Sequence, residues 1–101
     1  MKFFLVEGCS DVSSLSEEEF KTLRQAHHDY LAKAFEDGCI IFSGPKAGGG
    51  GGFTIFKAES EADVTAFFQN DPFFQAGVES YTPMEFRISR CQPLVESWFQ
   101  A

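Results

Sequence analysis

No run of apolar residues in this chain approaches the ~20 needed to cross a bilayer. The apolar start Phe3-Phe4-Leu5-Val6 stops at Glu7, well short of the roughly 7–15 residues of a secretion-signal core. Basic clusters are absent too: 8 Lys and Arg face 15 Asp and Glu, a net charge of −7. A surface of that sign repels phosphate backbones and anionic lipid, so neither nucleic acid nor a membrane is an expected partner. Cysteines are few and scattered, with no C-x-x-C pair among Cys9, Cys39 and Cys91. That pattern excludes a disulfide framework and fits a reducing, cytoplasmic setting, with each thiol read as a small buried hydrophobe. The unbroken run Gly48 to Gly52 lacks the Gly-Lys-Ser/Thr ending of a phosphate loop and precedes a strand, not a helix. It reads as a flexible hairpin connection that can also serve as a lid.

What the chain has in excess is aromatic bulk. Of its 101 residues 13 are Phe, and 44% are hydrophobic. A single domain of this length buries only about two-thirds of its unfolded surface, so the surplus calls for a partner surface, most simply a second copy. Lys2 to Gly8 reads as a strand with Phe3 and Leu5 on one face and Phe4 and Val6 on the other. Ser16 and Glu19 have capping-box spacing, and Phe20, Leu23, Leu31, Ala34 and Phe35 form a helical stripe from Glu17 to Asp37, stopped by Gly38. Cys39 to Phe42 and Phe53 to Phe56 are short strands apolar on both faces, and a second helix starts near Ser60. Asp71-Pro72 opens one further helical turn, closed by Gly77. A last strand alternates from Val78 to Ile88, with Pro83 pointing to a bulge or an edge.

The order β-α-β-β-α-β with right-handed crossovers predicts an α+β, ferredoxin-like domain: a four-stranded antiparallel sheet with two helices on one face. Strands apolar on both sides leave the other face greasy, and two protomers can close it sheet to sheet. The whole chain, 1–101, is read as one domain with a core of 2–88 and a tail, 89–101, in which Trp98 and Phe99 dock. Within the first helix His27 lies four residues from both Leu23 and Leu31 and so faces the sheet, whereas His28 turns to solvent. A buried imidazole needs a partner, and its charge change near neutrality suits general acid–base work; a satisfied structural histidine is the alternative. Asp71 is an ordinary helix cap or the carboxylate that orients such an imidazole. Arg24 holds an anionic substrate group or pairs with a surface carboxylate. Adjacent His27, His28 and Asp29 diverge around the helix, which argues against a metal site.

Arg24-x-x-His27, Gly38, Gly44-Pro45, Gly52-Phe53, Asp71-Pro72-Phe73 and Ala76-Gly77-Val78 together resemble the YciI-like (YCII-related) family over roughly residues 2–88. The resemblance implies a dimeric α+β barrel and a His–Asp dyad, carried over as His27 and Asp71. It implies a cofactor-independent lyase or isomerase acting on a small cyclic or aromatic metabolite, with dehydrochlorinase-like elimination as one activity. The expected pocket lies between the first helix and the sheet, lined by Phe42, Phe73 and Phe74, with Arg24, Ser43, Gly44 and Pro45 binding polar substrate atoms. The alternative is a non-catalytic homodimeric module that binds a small molecule or assists another enzyme. The glycine run and the tail depart from the family pattern.

Overall fold

The computed structural model describes residues 1–100. Its elements are β1 (Lys2–Ser10), α1 (Glu17–Glu36), β2 (Ile40–Pro45), β3 (Gly51–Ala58), α2 (Glu61–Gln69), α3 (Pro72–Gln75), β4 (Glu79–Phe86), a 3-10 turn (Pro93–Val95) and α4 (Glu96–Phe99). The strands form one antiparallel sheet in the order β2-β3-β1-β4. This is the ferredoxin-like βαββαβ arrangement, the protomer fold of the dimeric α+β barrels. No helix among the described residues is long and apolar enough to cross a membrane.

Local chemistry sets the boundaries. Ser16 accepts from the Glu19 amide at 3.1 Å while Glu19 accepts from the Ser16 amide at 2.9 Å, closing the capping box that starts α1. Ser60 caps α2 in the same way, accepting from the Asp63 amide. The β2–β3 turn places Gly49, Gly50 and Gly51 at φ of 80°, 81° and 132°, values that side chains resist, so the glycine run shapes a hairpin. Pro83 sits in β4, the outer strand next to β1, and the β1–β4 register runs through it without a bulge.

The core lies between the helices and one face of the sheet. Phe4, Val6, Ile40, Phe56 and Ala58 rise from the strands to meet Leu31 and Ala34 of α1 and Val64 and Phe68 of α2. The other face carries Phe3, Leu5, Phe53, Ile55, Met84 and Phe86, as the pairing of β1 with its two neighbours dictates. One end of that open face is covered by the C-terminal tail. Trp98 and Phe99 pack on Phe3 with ring centroids 5.8 and 5.0 Å away, and the Trp98 indole donates to the Gly38 carbonyl at 2.8 Å. The cysteines correct one expectation: Cys9 and Cys91 are exposed and Cys39 is half-buried, because Cys9 points from the open face and Cys91 lies in the tail.

Candidate active site

The stripe of α1 turns His27 toward the interior, leaving its side chain 18% exposed, while His28 and Arg24 stay at the surface. Asp71 arrives from the other side of the chain. At the end of α2 it takes an extended conformation with Pro72 behind it, which starts α3 and leaves its side chain fully buried.

Both readings of Asp71 hold at once. Its Oδ1 accepts from the Phe73 amide at 2.9 Å, the helix cap, and from the Tyr81 hydroxyl at 3.0 Å. Its Oδ2 lies 2.5 Å from His27 Nδ1. An ionised carboxylate only accepts, so a proton stands on Nδ1, and in the neutral imidazole the lone pair then stands on Nε2. No hydrogen bond to Nε2 is made by the described residues, and no buried side-chain nitrogen or oxygen is left unpaired, so Nε2 reaches solvent. Phe73 packs beside the imidazole at 4.9 Å and Phe20 stacks on Phe73 at 6.1 Å. This shields one flank of the ring.

Tyr81 and Glu79, both on β4, complete the polar cluster; neither was marked as a site residue from sequence. Burial, reinforced by the negative charge of Asp71, pushes the Tyr81 phenol well above its ordinary range, so it remains a donor. Burial likewise raises the Glu79 carboxyl, with His27 opposing and Asp71 reinforcing the rise. The signal that would have found them is Gly8: within the buried side of β1 it stands opposite Tyr81, where an apolar side chain would otherwise sit. Among the described residues no three His, Cys, Asp or Glu side chains converge as metal ligands do.

The remaining expected site residues disperse. Phe73 joins the pair, but Phe42 does not. A bulge between Ile40 and Phe42 pairs Ile40 with Phe56 and Phe42 with Ile55, so the two residues face opposite sides of the sheet. Phe42 is therefore 60% exposed on the open face, and Gly44 follows it, whereas Ser43 and Pro45 share the helix side with Thr54 and Gly52. The Arg24 guanidinium rests 5.8 Å from the Phe20 ring, outside the cluster. Phe74 lines a cavity of about 170 Å³ between α2 and β4, with Val6, Val64, Phe68, Tyr81 and Pro83, and not a pocket under α1.

A model of the YCII-related domain matches residues 1–87. The chain belongs to that family. Among solved structures, 5-chloro-2-hydroxyhydroquinone dehydrochlorinase (TftG) from Burkholderia phenoliruptrix AC1100, in complex with 2,5-dihydroxybenzoquinone, aligns with a TM-score of 0.68 at 28% identity. The alignment covers 88% of this YCII-related chain and 95% of TftG. None of the curated proteins compared with it matches.

Proposed function

We propose that the chain is a cofactor-independent lyase or isomerase in which His27 Nε2 is the general base and Asp71 fixes the imidazole tautomer and stabilises the imidazolium. The observation that carries this reading is the saturated carboxylate of Asp71: three donors hold it rigid and aim the free nitrogen of His27 outward. The dehydrochlorinase activity of a relative 28% identical supports small hydroxylated rings as the substrate class. On such a ring Nε2 accepts a proton from a hydroxyl or ring carbon, and the released electron pair expels a leaving group such as chloride. The sum is loss of HCl, with no change in electron count.

The working unit in this reading is a homodimer closed through the open sheet faces. Phe42, Phe53 and Met84 stand there 60%, 43% and 63% exposed, beside half-buried Leu5 and Ile55. A contiguous patch of this kind is what a second copy covers.

Chloride release from 5-chloro-2-hydroxyhydroquinone, and isomerisation of related unchlorinated rings, test the reading. His27→Gln is expected to lower kcat by about 10²–10⁴-fold, the usual contribution of a positioned base. A parental rate in that variant defeats the dyad mechanism. Binding of 2,5-dihydroxybenzoquinone without turnover of any such ring supports the non-catalytic module instead.

A further inference from the structure

Both members of the dyad hang from helices. His27 belongs to α1 and Asp71 caps α3, and the Phe73 amide that Asp71 Oδ1 accepts lies only two residues further along the same turn. One donor comes from elsewhere: the Tyr81 hydroxyl, on β4, reaches the same Oδ1 at 3.0 Å. Among the described residues it is the one hydrogen bond that ties the carboxylate to the sheet. Donors arriving from a helix turn and from the sheet fix the plane of the carboxylate. That plane sets the direction in which Oδ2 meets His27 Nδ1, and in an imidazole the bond made by one nitrogen decides which nitrogen carries the proton.

The phenol is itself held in place. Its ring packs on Phe68 with centroids 4.5 Å apart, and it stands opposite Gly8 of β1 on the helix-covered side of the sheet. Gly8 is not among the glycines of positive φ, so its backbone conformation does not call for glycine. What it supplies is space. A Cβ there would come within 3.0 Å of Tyr81 Cε1 and would collide with the Glu79 carboxylate. Glu79 ends a flexible chain and can swing aside, whereas a ring packed on Phe68 has less freedom to do so.

We propose that Tyr81 is the positioning residue of the dyad: its hydroxyl fixes the plane of the Asp71 carboxylate, and through it the tautomer and aim of His27, in room that Gly8 leaves. This rests on the reading of His27 as a base and extends it from the pair to the sheet that carries the pair. Tyr81 has one hydroxyl proton, and it is spent on Asp71. The residue therefore acts through the carboxylate and not on the substrate.

Tyr81→Phe keeps the ring and removes only the hydroxyl. With no substrate present, nitrogen-15 shifts of the neutral His27 ring, read through its carbon-bound protons, should stand far apart in the parent, as one fixed tautomer requires. In Tyr81→Phe they should draw together as the proton divides between Nδ1 and Nε2. With a ring substrate that the parent turns over, kcat should fall about tenfold or more, the size of one hydrogen bond to a charged group, while KM stays unchanged. Gly8→Ala keeps the hydroxyl but displaces the ring, so it should move the shifts in the same sense. Added to Tyr81→Phe it should move them no further, because two changes that act through one contact do not add. Tyr30→Phe is the control: it gives up another tyrosine hydrogen bond, 2.6 Å long to the Phe67 carbonyl, and should move neither readout.

Parental His27 shifts in Tyr81→Phe, or equal movement in Tyr30→Phe, overturn the positioning role. Parental shifts in Gly8→Ala overturn the part given to Gly8. Failure of the base reading looks different: His27→Gln then keeps the parental kcat, while the imidazole shifts of the parent still answer to Tyr81.

Discussion

The two faces of the sheet are made by the same strands and do opposite things. Along β4, Glu79, Tyr81 and Pro83 point toward the helices, and Ser80, Thr82, Met84 and Phe86 point away. On the helix side Phe4, Val64 and Asp71 are fully buried and, among the described residues, every buried polar side-chain atom has a partner. On the open side Phe42, Phe53 and Met84 are left to water. The pleat separates a site from an assembly surface by one residue at a time. A change on one face should therefore leave the other face's property intact, and the following substitutions ask whether it does.

The largest contrast is in packing. Phe4→Ala empties a fully buried ring site and is expected to cost about 3–5 kcal/mol in urea unfolding. Met84→Ala on the open face should cost the isolated protomer no more than about 0.5 kcal/mol. Equal losses would mean that the open face is packed against something within the chain. Next comes Asp71→Asn. The amide replaces one acceptor by a donor among three donors, so one buried hydrogen bond is lost and a like contact is created. About 1–3 kcal/mol of stability should go with it, and the surviving fold should hold His27 in the wrong tautomer. Unchanged unfolding of this variant would show that the carboxylate is not locked as described.

For assembly the contrast runs the other way. Phe53→Asp places a charge on the open face and should weaken self-association by at least about tenfold, or 1.4 kcal/mol, in sedimentation equilibrium. The environment of His27 should not change, so its imidazole resonances by NMR should overlay on those of the parent. Self-association of undiminished strength would place the dimer surface elsewhere.

How far these faces were legible depends on whether local or long-range information sets them. The capping box at Ser16, the cap-and-proline start at Asp71 and the inward turn of His27 are each encoded within a few residues, and the structure agrees with all three. Phe42 was misplaced because alternation along Ile40-Ile41-Phe42 presumes a regular strand. The bulge depends on pairing with β3, which no local pattern reveals. Tyr81 and Glu79 were passed over for the same reason. Their place beside Asp71 is fixed by the register of β4 on β1, with Gly8 opposite Tyr81, a pairing between residues more than seventy positions apart. The docking of Trp98 and Phe99 was legible from two large aromatics in the tail, but its target, Phe3 and the Gly38 carbonyl, was not.

The smallest expected effect reads the helix-covered face by pH. Burial raises the folded-state affinity of Glu79 for its proton above that of a free carboxyl with its ordinary value of 4.5. The folded state then binds more protons than the unfolded chain between that value and the raised one, so this group's contribution to stability is fully present below pH 4.5 and is lost as pH rises through the folded value. Asp11 and Glu19, held low by hydrogen bonds from Ser13 and Ser16, act in the opposite direction, with stability lost as pH falls. Absolute melting curves mix the two, but the difference between Glu79→Gln and the parent isolates the first. With protein concentration held fixed, because association also shifts Tm, the gap in Tm in favour of the variant should be smallest at pH 4 and widen toward pH 8. A gap for Glu79→Gln that does not change with pH would place its carboxyl in water and remove it from the cluster around Asp71.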